Sequence, residues 1–102
     1  MAAPFALEAY WLDALALLAA LEGQPERAAL LVGCADAHYR EKGQQREVNE
    51  ARAAARAEGL ARTALGDEAW RDAHAQGALL TPAQAAAPVV AAGLKARPSG
   101  II

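Results

Sequence analysis

The hydrophobic and polar positions divide the chain into helical segments separated by glycine and proline. Over 8–23, EAYWLDALALLAALEG, placing the residues on a helix gives two apolar stripes instead of one. Leu12, Leu15, Ala16 and Ala19 form one stripe, and Leu7, Trp11, Leu18 and Leu21 form the other. Only Glu8, Asp13 and Glu22 carry charge. A surface helix has one apolar face; a helix apolar nearly all round is covered on most sides. Pro4 suits its first turn, and Gly23 suits the position just past its end.

The remaining segments follow the same punctuation. Pro25 opens a second helix with Ala28, Leu31, Val32, Ala35 and Tyr39 on its apolar face, and Gly43 ends it. The polar stretch 44–66 carries a stripe of Val48, Ala51, Ala54, Ala57, Ala61, Ala64 and Leu65. The helix is expected to run through Gly59, at a cost of about 1 kcal/mol relative to alanine. Gly66 closes it. Asp67 is expected to cap a short fourth helix bearing Trp70, Ala73 and His74, ending near Gly77. Thr81, Pro82 and Gln84 form a capping-box start for a fifth, which Pro88 shortens or kinks. No alternating, valine-rich segment predicts a strand. The expected fold is all-α, a single helical domain over 1–102 with about five helices. Within it, 9–42 has the length of one tetratricopeptide-like helix–turn–helix repeat. Further helices occupy 44–94, and 95–102 is a flexible tail.

Composition changes this picture in one respect. Of the 102 residues, 55% are apolar but only 5% aromatic, and about thirty are alanine. Such a core is thin and depends on close helix contacts rather than large side chains. The net charge is −2, with 10 basic and 12 acidic residues. That balance gives no electrostatic footprint for nucleic acid or an anionic membrane. Arg46, Arg52, Arg56 and Arg62 are interleaved with Glu47, Glu50 and Glu58, which predicts a solvated face with local pairs such as Glu58 with Arg62. Glu8 and Asp13 argue against a membrane span in the first apolar segment. A single cysteine and no basic, signal-like N-terminus point to a reducing, cytoplasmic setting.

Candidate chemistry is sparse. Cys34 and His38 lie four apart on one helix face, a spacing open to two metal ligands, but structural zinc takes four. His74 is the only other histidine. No phosphate-binding loop, C-x-x-C or H-E-x-x-H occurs. The expectation is a non-catalytic chain without metal, cofactor or small-molecule substrate, in which Trp70 is core.

Two stretches resemble a known family. PERAALLVGCADAHYREKG is similar to a segment near the end of the helical-repeat region of large bacterial LuxR-type, ATP-dependent transcriptional regulators, abundant in actinobacteria. Pro25, Glu26, Ala28, Ala29, Leu30, Leu31, Gly33 and Ala35 sit at matching places. ARTALGDEAWRDAHAQGALLTPAQAAA is similar to that family's closing segment through Leu65, Gly66, Trp70, Ala73, Gly77, Leu80 and Thr81. His74 stands where the family often has tryptophan, and Pro82 where it often has leucine. The ATPase and DNA-binding modules of those regulators have no counterpart here. The resemblance therefore implies a repeat region whose role is protein–protein contact in regulation.

The second stripe of the first helix then needs a cover. In a solenoid, a repeat helix touches its own partner on one face and a neighbouring repeat on another. Leu7, Trp11, Leu18 and Leu21 are the expected protein interface, with a homodimer or another protein as partner. The competing expectation is an intramolecular bundle in which Leu79, Val89, Val90 and Leu94 cover that face.

Overall fold

The computed structural model describes residues 8–86. Four helices run through the described residues: α1 (Glu8–Leu21), α2 (Pro25–Glu41), α3 (Val48–Leu65) and α4 (Asp67–Ala78). A fifth, α5, opens at 82 and is followed as far as 86. No strand occurs among the described residues. The chain is all-α, as its periodicity predicts.

The helix ends are set locally. At the end of α1, the Gln24 N–H donates to the Ala19 carbonyl at 2.8 Å and the Gly23 N–H to that of Ala20 at 3.2 Å. This pairing needs a residue in the left-handed region, and Gly23 supplies φ = +78° without a Cβ penalty. Gly43 repeats the arrangement after α2. Pro25 occupies the first turn of α2, where a missing N–H costs nothing. At α5 the capping box forms as expected. The Gln84 N–H donates to Thr81 Oγ1 at 3.1 Å, and the Thr81 N–H donates to Gln84 Oε1 at 2.9 Å.

Asp67 does not cap α4. Gly66 is the N-cap residue, and no side chain caps the helix. A single residue separates α3 from α4, so Asp67 is already helical, and its carboxylate instead accepts from Arg62 Nε at 3.2 Å.

α2 is the centre of the fold. It packs on α1, α3 and α4, most extensively on α4, while α1 also packs on α3. The buried cluster takes Leu12, Ala16 and Ala19 from α1; Ala28, Ala29, Leu31, Val32, Cys34 and Ala35 from α2; Ala57 and Ala61 from α3; Trp70 from α4; and Ala85 from α5. Eight of these thirteen are alanine, so the helices must approach closely to exclude water. The α2–α4 crossing goes further and uses glycine on both sides. A Cβ placed at Gly33 would run into the backbone carbonyl of His74, and one at Gly77 into that of Leu30. At this crossing backbone rests directly on backbone.

α3 runs unbroken through Gly59. Its apolar stripe is shorter than the sequence suggests. Ala54, Ala57 and Ala61 are buried and Leu65 is half-buried, but Val48, Ala51 and Ala64 are exposed. The contact with α1 and α2 covers only the middle of that helix.

Candidate functional site

α1 presents two unlike faces. Leu12, Ala16 and Ala19 are buried against the rest of the fold, with Leu15 half-buried beside them. On the opposite side Trp11, Leu18 and Leu21 are 62%, 46% and 55% exposed. Ala14 lies among them and is also exposed. Three of the four predicted interface residues are thus gathered on one open face; Leu7 lies outside the described residues. Leu79 does not cover this face, because it is itself 86% exposed. Val89, Val90 and Leu94, the other residues expected to cover it, lie outside the described residues. Single exposed apolar residues are ordinary, whereas these lie together along one side of a helix.

Behind that face is a feature the sequence did not reveal. Asp13, on the inner side of α1, is only 1% exposed. Arg46, from the connection between α2 and α3, donates from Nε to Asp13 Oδ2 at 2.9 Å and from Nη2 to Oδ1 at 3.1 Å. Its remaining nitrogen, Nη1, pairs with Asp36 Oδ1 on α2 at 2.6 Å. Asp36 Oδ2 is in turn 2.7 Å from His74 Nε2 on α4. The Arg46 guanidinium also lies over the Tyr39 ring, 4.8 Å from its centroid. One chain of charge-assisted contacts therefore joins α1, the α2–α3 connection, α2 and α4.

The electrostatics follow from the burial. Removal from water pushes the Asp13 carboxyl above its ordinary value, against the pull of the two Arg46 hydrogen bonds. Burial works against the charge on Arg46 more than any one partner supports it, but the hydrogen bonds and attraction of Asp13 and Asp36 together outweigh it and hold the guanidinium above its usual value. Tyr39 is pushed up to about 12, first by burial and then by the neighbouring Asp13 carboxylate. Glu50 adds a third negative charge nearby, and its Oε1 is buried without a hydrogen-bond partner among the described residues.

Arg46 is thus not part of a solvated face. Its planar fork meets a buried carboxylate in bidentate fashion, a geometry that suits arginine. The Glu58–Arg62 pair forms as expected, at 2.7 Å, and the Arg62 guanidinium lies 6.0 Å from the centroid of the buried Trp70 ring. Trp70 is in the core, with the His74 ring at 5.6 Å.

Cys34 and His38 line one groove of about 340 Å³ together with Glu41, Leu80, Thr81 and Pro82. Cys34 is buried, and its thiol donates to the Leu80 carbonyl at 3.3 Å. That contact fastens the α4–α5 connection to α2. Among the described residues, no three His, Cys, Asp or Glu side chains converge as a set of metal ligands. No described helix is long and apolar enough to cross a membrane.

The arrangement supplies an open apolar strip on a helix whose inner side is fixed by a buried ion pair. No family model, curated protein or solved structure matches the chain.

Proposed function

We propose that this chain is a non-catalytic protein-interaction module that associates through the outer face of α1. The observation that carries this reading is the joint exposure of Trp11, Leu18 and Leu21 on a helix whose other face is fully packed. Covering the half of each such side chain that is still open is worth about half of the roughly 1.5–3 kcal/mol that complete burial gives, a drive towards a partner. Asp13 and Arg46 support the reading from behind. They lock the rotation of α1 about its axis, so the apolar strip is presented as a fixed surface.

We further propose that α1 with α2, over 9–42, acts as one tetratricopeptide-like helix pair. Supporting this, the two helices pack on each other, and α1 also packs on α3 and α2 on α4. The resemblance to the repeat region of LuxR-type regulators suggests regulatory protein contact as the module's role. Many of its matching positions, among them Ala28, Leu31, Gly33, Trp70 and Gly77, are buried at the helix crossings.

The test compares the wild-type chain with Trp11→Glu and Leu21→Glu. Each substitution is expected to abolish association, read as solution mass, while lowering stability by no more than about 1 kcal/mol, because each side chain is more than half exposed. Unchanged mass together with unchanged stability in both variants would overturn the proposal.

A further inference from the structure

The course of α5 points the rest of the chain into a groove. Thr81 and Pro82, where α5 opens, line one groove with Cys34, His38 and Glu41 on the second half of α2. Further on, Ala85 lines another, of about 350 Å³, with Glu26, Arg27 and Leu30 on the first half of α2 and Asp72 and Ala73 on α4. α5 therefore runs back along α2 towards its start, and the described residues end at 86, beside this second groove. Ala85 is buried, but Leu30 and Ala73 remain partly open. Around them stand two exposed carboxylates, Glu26 and Asp72, and one half-buried guanidinium, Arg27. Among the described residues none of these three forms an ion pair. The residues that follow, APVVAAGLKARPSGII over 87–102, have the complementary chemistry. Val89 and Val90 come about one helical turn after Ala85. Lys95 and Arg97 are the segment's only charged side chains, and all 12 acidic residues of the chain precede it.

We infer that the groove between α2 and α4 is the docking site of this chain's own segment 87–97. Val89 and Val90 cover Leu30 and Ala73, and Lys95 and Arg97 meet Asp72 and Glu26. The reach is sufficient. Val89 lies about 6 Å beyond Ala85 if the chain stays helical and about 13 Å if it is extended. Lys95, ten positions on, reaches up to about 33 Å. Each exposed ion pair contributes little alone, and burial of the two valines supplies the rest of the hold. The other groove does not fit, because the chain enters α5 there and runs away from it. The docked segment acts as an internal strap across α2 and α4. None of the groove's lining residues belongs to α1, so the strap leaves the outer face of that helix open. The inference stands apart from the docking role proposed for α1 and does not rest on it.

The test uses the full-length chain with a nitroxide attached at Ala96→Cys, and wild type treated with the same reagent to set the background from buried Cys34. Amide signals of Glu26, Arg27, Leu30 and Asp72 should broaden several-fold more than those of Trp11, Leu18 and Leu21. Combining Glu26→Lys with Asp72→Lys should reduce that broadening several-fold, and adding Lys95→Glu and Arg97→Glu should restore it. Broadening that the first charge reversal leaves undiminished would overturn the assignment. A mixture of nitroxide-bearing chains with isotope-labelled wild type identifies the source of the segment. Broadening of the same strength in that mixture would place a second copy, not the chain's own segment, in the groove. Broadening centred on Trp11, Leu18 and Leu21 would overturn the inference together with the docking role of α1. No broadening on either surface would overturn the inference and leave that docking role standing.

Discussion

Replacing Arg46 with methionine tests whether the ion pair beneath α1 is a buried one. The substitution keeps the bulk of the arginine stem and removes the only cation among the described residues that hydrogen-bonds Asp13. Asp13 would sit at 1% exposure without either Arg46 hydrogen bond, left with the neutral Tyr39 hydroxyl beside it. At an effective dielectric of 20, opposite charges about 3 Å apart attract by about 5 kcal/mol. Breaking a buried pair by removing one partner costs about 3–5 kcal/mol, because the other charge is left uncompensated. Asp36 loses less, being half-buried and still paired with His74. Against a total stability of about 5–15 kcal/mol for a domain of this size, that is a large fraction. The assay is urea denaturation followed by far-ultraviolet circular dichroism, comparing midpoints at constant slope. Adding Asp13→Asn to Arg46→Met should recover part of the loss by removing the orphaned charge; the remainder, about 1–3 kcal/mol, is the cost of an unsatisfied amide. The penalty must also depend on pH. Burial raises the Asp13 carboxyl in the folded chain, so its ionised form opposes folding as pH rises from the ordinary carboxylate value through the raised one. Loss of Arg46 removes the opposing pull and raises it further. The difference between wild type and variant should therefore be full at pH 8 and shrink at pH 4, where the orphaned carboxyl takes a proton. A loss below about 1 kcal/mol, equal at both pH values, would refute the reasoning, because that is how a solvated surface pair behaves.

The glycines give a second, oppositely signed pair of predictions. Gly33→Ala and Gly77→Ala should each lower stability by about 1–3 kcal/mol or more, since the new methyl meets a backbone carbonyl rather than a movable side chain. Gly59→Ala, where a Cβ would meet nothing within 4 Å, should raise stability by about 0.5–1 kcal/mol in the same denaturation assay. Ultraviolet titration should show one phenol ionising near pH 12, a phase missing in Tyr39→Phe. Because that phenol is held neutral in the folded chain, stability should fall as pH rises from 10 towards 12, and Tyr39→Phe should flatten the fall. Thr81→Ala should weaken the start of α5 by about 1 kcal/mol through loss of the cap, read as faster amide exchange at Gln84.

What the sequence made legible is what local chemistry decides. Pro25 and the Thr81–Gln84 box mark helix starts, and Gly23 and Gly43 mark helix ends, because a cap involves residues only a few positions apart. The inner and outer stripes of α1 were also legible, since 3.6-residue periodicity places Leu12 and Ala16 opposite Trp11 and Leu18. Asp67 misled because aspartate is a good cap in general, and only the single-residue connection at Gly66 moves it inside the helix. The Asp13–Arg46 pair was invisible for a different reason. Its members are 33 residues apart, and Arg46 sits beside Glu47 and Glu50, where it resembles any other charge on a wet helix. Gly33 and Gly77 gave no signal of their crossing, because contact between α2 and α4 is a property of the assembled fold. His74 was unassigned until Asp36, on another helix, came within 2.7 Å of it.

The central claim is that the outer face of α1 is a surface for a second chain. Light scattering of the full-length protein from micromolar to millimolar concentration tests it most directly. The account predicts a mass that climbs from one chain towards two in the wild type and stays at one chain in Trp11→Glu. A wild-type mass that stays at one chain across the whole range, indistinguishable from Trp11→Glu, would contradict it.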